Sequence, residues 1–162
     1  MTREKIWTAL ETVVDPEIPV LTIADLGILQ DVVIDDETAH VQVMITPTYN
    51  GCPAMDMISV HIKAALQELG VCDVEVISLL TPAWTTDWIS ESGRQKMLEY
   101  GIVPPVQSTQ DSSFLTGQAP SVPCPICHSY HTEQISRFGS TACKAMYKCL
   151  DCLEPFDYFK CH

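Results

Sequence analysis

The sequence predicts an α+β fold in which a small α-β-β-α-β-α domain is followed by a linker and a small β-rich module. Three observations support this prediction. Helical and strand-like apolar periodicities alternate through the first hundred or so residues. A Pro-, Ser-, Thr- and Gln-rich segment then interrupts them, and two Cys-x-x-Cys pairs follow. We therefore expect domains at 1–102 and 122–162, joined by a linker at 103–121.

Three helices are predicted in the first domain. Residues 3–14 place apolar side chains on one helical face, and Pro16 ends that helix because proline disfavours helix in the residue before it. Residues 53–69 show the strongest helical periodicity in the chain, and Gly70 ends this second helix. The third and more polar helix is expected over 91–100.

Three strands are predicted between these helices. Residues 29–34 and 39–45 are rich in β-branched side chains, and the acidic stretch 35–37 between them suits a hairpin turn. A third strand is expected over 74–80. The order of the six elements predicts a small sheet with helices on one face.

Composition and charge limit the classes of partner. The 162 residues are 46% hydrophobic and carry a net charge of −12. Residues 1–102 hold five Lys and Arg against sixteen Asp and Glu, which repels phosphate backbones. We therefore expect protein partners with a basic face and no nucleic acid. No apolar run approaches the roughly 18 residues of a membrane helix, and the N-terminus lacks the apolar run of a signal peptide, so we expect no membrane association and a cytoplasmic protein.

Four of the eight cysteines form two close pairs. Cys124 and Cys127 are separated by 21 residues from Cys149 and Cys152, close to the spacing of a zinc ribbon. A structural zinc ion is the metal that we favour for this tetrad. An iron or iron–sulfur site and a dithiol redox pair remain open, because each of them also uses cysteine sulfur.

Three further residues near the tetrad are candidate metal ligands: Cys143, Cys161 and His162. In one interpretation they form a second, more labile site or exchange with the tetrad. In the other, Cys143 packs inside the ribbon and the terminal pair is exposed.

Cys52 is the most interesting thiol of the first domain. It precedes Pro53 at the start of the second predicted helix, where unpaired backbone N–H groups and the helix dipole favour thiolate. A small buried side chain at a strand–helix corner is the alternative. Asp15 and Glu17 lie between prolines and are either ligands or acid–base groups, or residues that shape a turn.

The segments Asp15-Pro16-Glu17 and Gly51-Cys52-Pro53, together with Thr46, resemble the MIP18 (DUF59) domain of iron–sulfur cluster assembly factors. The resemblance implies that Cys52 handles a cluster, bound transiently, and that Asp15, Glu17 and Thr46 belong to the same site.

Longer stretches resemble the D-subunit family of bacterial phenylacetyl-CoA epoxidase (ring 1,2-epoxidase) systems over nearly the whole chain. They are PTYNGCPAMDMI, PAWTTDWIS, YGIVPP, CPICHS, FGSTACKAMYKC and EPFDYFKCH. This resemblance implies a non-catalytic accessory role in aerobic phenylacetate degradation, assisting iron–sulfur assembly or maturation of the oxygenase and reductase components. The partners it implies are other epoxidase subunits, such as the iron–sulfur reductase.

Two other functions stay open at this point. The chain could be a structural docking subunit that binds through its ribbon and the loop carrying Trp84 and Trp88, since paired tryptophans often anchor interfaces. It could also be a thiol enzyme that uses Cys52 as nucleophile. A homo-oligomer is compatible with each of these functions.

Overall fold

A computed structural model describes residues 2–106 and 119–160 of the chain. The chain divides into two compact units, Met1–Gly93 and Arg94–His162. Most of the linker predicted at 103–121 lies outside the described residues. Three α-helices and two small sheets in the described part confirm the predicted α+β class. None of the helices described is both long and apolar enough to cross a membrane.

The three helices are α1 (Arg3–Leu10), α2 (Ala54–Glu68) and α3 (Glu91–Tyr100). The prediction that the first helix extends to residue 14 was wrong. After Leu10 the backbone turns, and Val13 accepts a hydrogen bond from the N–H of Ile23 at 2.9 Å. Val14 then forms an antiparallel bridge with Thr22, a pairing between distant residues that helical periodicity does not reveal.

The sheet of the first unit has the order β1 (Leu29–Asp35), β2 (His40–Ile45) and β3 (Val74–Ser78). β1 and β2 form the predicted antiparallel hairpin, and β2 pairs with β3 in parallel. α2 is therefore the crossover that a parallel pair requires. Alternate residues of β2 and one face of α2 are almost fully buried and form much of the core: Val41, Val43, Ile45, Ile58, Ile62 and Leu66.

The segment that carries the two paired tryptophans is fastened to the loop before β1. The indole N–H of Trp84 donates to the Leu26 carbonyl at 2.8 Å. The N–H of Ser90 donates to the Asp25 carbonyl at 2.8 Å, and its hydroxyl donates to the Asp25 carboxylate at 3.2 Å. Gly27 has a φ of +66° and packs directly against Trp88. These contacts give Trp84 a structural role in holding the segment.

The second unit contains a four-stranded sheet of order β4-β7-β6-β5. Its strands are β4 (Ile102–Val103), β5 (Thr132–Ser136), β6 (Lys144–Cys149) and β7 (Pro155–Phe159). β5, β6 and β7 form an antiparallel ribbon, and β4 joins the edge in parallel with β7.

Tyr147 is the largest fully buried side chain described in this unit. Its ring stacks on Phe156 and meets Tyr158 edge-on, with centroids 5.8 and 5.6 Å away. Burial raises the pKa of Tyr147 to about 12, so the hydroxyl stays protonated. That hydroxyl donates to the Pro120 carbonyl at 3.3 Å.

Gly27 provides a test of the first unit's packing. A Cβ added at Gly27 would lie 2.6 Å from both the Cβ and the carbonyl oxygen of Trp88. We expect Gly27→Ala to lower the free energy of unfolding by about 2–4 kcal/mol, from backbone strain and overpacking together. Urea unfolding followed by tryptophan fluorescence measures this loss.

Gly70→Ala is the control, because Gly70 also has positive φ but no atom within 4 Å of its added Cβ. It should lose only about 1 kcal/mol, and equal losses in both variants would contradict the packing explanation.

Candidate functional site

The four paired cysteines converge at one end of the ribbon. Cys124 and Cys127 lie on the turn before β5, while Cys149 ends β6 and Cys152 lies on the turn before β7. Their sulfur atoms all lie within 4.8 Å of one another. Two Sγ pairs, Cys124 with Cys152 and Cys127 with Cys149, are 3.6 and 3.5 Å apart. The ribbon therefore brings together the two pairs that the sequence suggested would meet.

Backbone N–H groups in each turn form hydrogen bonds to a cysteine sulfur atom. The N–H of Ile126 points at the Cys124 sulfur at 3.4 Å, and the N–H of Cys152 points at the Cys149 sulfur at 3.5 Å. The residue after each pair, His128 or Leu153, has a positive φ of 61° or 66°. The two turns thus share a left-handed residue directly after the second cysteine of each pair.

The tetrad suits a tetrahedral cation such as zinc. Zinc–sulfur bonds of about 2.3 Å place the sulfur atoms about 3.8 Å apart in an ideal tetrahedron, close to the 3.5 and 3.6 Å of the two short pairs. Hydrogen bonds from the N–H of Cys152 and then of Asp151 lower the pKa of the Cys149 thiol to about 7. For Cys152 the Glu154 N–H lowers the pKa, but burial and the neighbouring sulfurs raise it more, to about 12. The neighbouring sulfur atoms thus disfavour having all the thiols ionised at once. A bound cation would remove this effect, because it stabilises all four thiolates together.

A polar link joins the two cysteine turns on the surface. Asp151 accepts a hydrogen bond from the Ser129 hydroxyl on one carboxylate oxygen, and its other oxygen lies 2.9 Å from Nδ1 of His131. Ser129 and then His131 lower the pKa of Asp151, which keeps it ionised. Sequence reasoning missed this link. No local pattern identifies it, because Asp151 is 20 residues from His131 and meets it only when the ribbon pairs.

Of the three further ligand candidates, Cys143 lies within the described residues, and it does not join the tetrad. Cys143 is buried, and its sulfur lies 3.0 Å from the Thr141 hydroxyl. Its carbonyl accepts the N–H of Lys160 at 3.0 Å. Cys161 and His162 lie outside the described residues. Across 2–106 and 119–160, the tetrad is the one group of three or more His, Cys, Asp or Glu side chains placed to share a metal ion.

Cys52 lies in the connection between β2 and α2. Pro53 is the N-cap of α2, so Cys52 is the residue just outside the helix. Its side chain is half-buried. The backbone on both sides is held, because the Cys52 N–H donates to the Tyr49 carbonyl at 3.3 Å and its carbonyl accepts from Met55 at 3.2 Å. The thiol is therefore partly accessible and its backbone is fixed.

The structure places Asp15 in a tight turn. Asp15 is buried, and its Oδ1 accepts the N–H groups of Glu17 and Ile18, both at 2.8 Å. This is the contact pattern of a residue that shapes a turn. Glu17 is half-buried next to it.

Thr46, directly after β2, has a different environment. It is 1% exposed, and its N–H donates to the Ile28 carbonyl at 2.9 Å. Its hydroxyl has no hydrogen-bond partner in the described structure. Leaving a buried polar group unpaired costs about 1–3 kcal/mol, so the fold carries this cost directly after β2.

The two parts of the chain match two known families. The family described as iron-sulfur cluster assembly protein matches residues 3–79, and the family described as PaaD zinc beta ribbon domain matches residues 108–160. The first of these matches includes Asp15, Thr46 and Cys52, and the second includes the whole tetrad.

Solved structures support the fold of the first part. A DUF59 domain from Bacillus anthracis is 28% identical, with a TM-score of 0.54 over 59% of this chain and 90% of that one. A conserved hypothetical protein from Thermotoga maritima is 35% identical, with a TM-score of 0.51 over 60% of this chain and 94% of that one.

Curated relatives extend the similarity to the whole chain. An Fe-S protein maturation auxiliary factor of Bacillus subtilis (strain 168) is 40% identical over 54% of this chain and 85% of its own length. The putative 1,2-phenylacetyl-CoA epoxidase D subunit of Escherichia coli (strain K12) is 47% identical over 97% of this chain and 92% of its own length. With both domains matched and nearly full coverage of that relative, the chain belongs to the D-subunit family of phenylacetyl-CoA epoxidases.

Proposed function

We propose that this chain is a non-catalytic accessory subunit that helps to assemble or mature the iron–sulfur cluster of the epoxidase reductase component. One observation carries the proposal: a single polypeptide joins an iron–sulfur cluster assembly domain to the ribbon of the D-subunit family, with 47% identity along nearly its whole length. Two relatives are named as maturation auxiliary factors, and the iron-sulfur cluster assembly family matches residues 3–79, which include Cys52.

In this proposal the cluster is the substrate and Cys52 is its protein ligand. Clusters are held by thiolates, usually four of them. A single half-buried cysteine in the loop before α2 supplies one thiolate and leaves the other positions to further donors. Such incomplete ligation suits a protein that receives a cluster and passes it on.

Thr46 belongs to the same connection between β2 and α2 as Cys52. Its unpaired buried hydroxyl is a donor that has no partner within the described structure. We assign it to the cluster-handling site as a group that gains a hydrogen-bond partner when the β2–α2 connection moves on binding, because its oxygen has less than 1 Å² of accessible surface. Asp15 and Glu17 support the site indirectly, because Asp15 fixes the turn that follows the first helix.

The ribbon has a structural role in the proposal. Cys124, Cys127, Cys149 and Cys152 would hold one zinc ion, which supplies a cross-link between two turns and no redox chemistry. Cys124 and Cys149 are also members of the second unit's hydrophobic core, beside Tyr147. The metal site and the core are therefore parts of one folded body.

Metal removal tests this structural role. We expect the purified chain to contain one zinc ion, and Cys149→Ser or a strong chelator should unfold the ribbon while the first unit stays folded. The chromophores separate the two units, because all three tryptophans lie in the first unit at positions 7, 84 and 88. Near-ultraviolet circular dichroism should lose most of its tyrosine signal, because four of the five tyrosines lie in the second unit, while tryptophan fluorescence stays native. A ribbon that keeps its tyrosine signal without metal would contradict the structural role, and stoichiometric iron with sulfide would identify a cluster instead of zinc.

Substitution of Cys52 tests cluster handling. We expect Cys52→Ser to lower the iron and sulfide content of the co-expressed reductase several-fold, because a hydroxyl replaces the proposed thiolate ligand. The variant should unfold at the same urea concentration as the wild-type chain. Cys72→Ser is the matched control, since Cys72 is exposed in the same unit and outside the β2–α2 connection. Full cluster content in the reductase with Cys52→Ser would refute the proposed role of this thiol.

A further inference from the structure

Three large apolar side chains are exposed at the end of the ribbon that holds the tetrad. Ile126 lies within the first cysteine pair, Leu153 directly follows the second, and Tyr130 lies beside the His131–Asp151 link. Their exposed fractions are 61%, 63% and 66%. We call these three residues the knuckle surface. Large apolar side chains exposed on two adjoining turns are a feature of protein–protein contacts.

Leu153 combines an exposed side chain with a strained backbone conformation, and the combination indicates a functional position. Leu153 has a φ of 66°, in the left-handed region that glycine adopts without strain and leucine does not. Its side chain gains little from packing within the chain, because 63% of it is exposed. A bulky apolar residue therefore stands where glycine would fold better and be more soluble. Strain of this kind is a feature of functional positions.

The knuckle surface is held on a rigid base. The sulfur atoms next to Ile126 and Leu153 lie within 4.8 Å of one another. Asp151 fastens the two turns through Ser129 and His131. The apolar side chains therefore need little ordering before they bind, which favours affinity.

The charges around the knuckle surface indicate the kind of partner. The segments 119–136 and 149–155 contain Glu133, Asp151 and Glu154 and no Lys or Arg. One base, Lys148, lies directly before the second cysteine pair and opposite Glu133 in the ribbon register, so acidic side chains outnumber basic ones at this end. A complementary partner has an apolar groove bordered by basic side chains.

We propose that the knuckle surface docks this accessory protein onto its client, the iron–sulfur reductase component, through an apolar groove with Lys or Arg at its edge. The inference rests on the proposed function for the identity of the client. The exposed leucine and isoleucine would enter the groove, and Glu154 would face its basic edge.

Binding of the purified reductase component to the full-length, zinc-loaded chain tests the docking surface. We expect the double variant Ile126→Ser/Leu153→Gly to bind at least tenfold more weakly in titration calorimetry, because buried apolar anchors dominate interface energies. Glu154→Lys should also weaken binding, and the wild-type affinity should fall as salt is added. Leu153→Gly alone should melt at the same temperature as the wild-type chain or higher, with unchanged zinc content, because glycine relieves the strain.

Two controls separate docking from other effects. Leu80→Ser removes an apolar side chain that is 65% exposed in the first unit, and it should leave the affinity unchanged. His128→Gly relaxes the corresponding backbone position of the first turn without removing apolar surface, and it should also bind normally.

Unchanged affinity in the double variant, or no binding of the wild-type chain to the reductase, would overturn the docking proposal. The outcome is separable from that of the proposed function. If the knuckle variants lose binding while Cys52→Ser leaves the reductase cluster intact, the docking surface stands and the maturation role fails. If Cys52→Ser depletes the cluster while the knuckle variants bind normally, the reverse holds.

Discussion

The convergence of four cysteine sulfurs at one end of the ribbon is the constraint on which the second unit depends. Eight buried residues form one core cluster in the described part of this unit, and two of them are tetrad cysteines. So small a core supplies little stability without an added cross-link. A cation bound by the tetrad would therefore stabilise the fold as well as occupy a site, because the turns carrying Ile126 and Leu153 meet at the four sulfur atoms.

The first unit fixes its functional loop by different means. It has a conventional core between one face of the β2 strand and the α2 helix. The loop with Cys52 begins where β2 ends and stops where α2 starts, so the two elements with the deepest burial determine its position. The thiol of Cys52 is therefore partly exposed while backbone hydrogen bonds hold the residue in place. This combination suits a residue that binds its cargo transiently.

The two units thus divide the proposed work between them. In the proposal, the first offers the half-buried thiol of Cys52 to the cluster. The second offers a rigid, apolar and acidic end for a partner. A maturation factor needs both properties, because a cluster held by few ligands is transferred efficiently only when the acceptor is held nearby.

Sequence alone determined the fold class, the three strands of the first sheet, the α2 helix and the meeting of the two cysteine pairs, because each depends on local periodicity or a short spacing. Tertiary structure decided what depends on distant residues. The α1 helix stops at Leu10 because Val13 and Val14 bind the segment that includes Thr22 and Ile23. Asp151 meets Ser129 and His131 only through strand pairing. The left-handed backbone at Leu153, like the unpaired hydroxyl of Thr46, is a property of packed geometry that residue type does not encode.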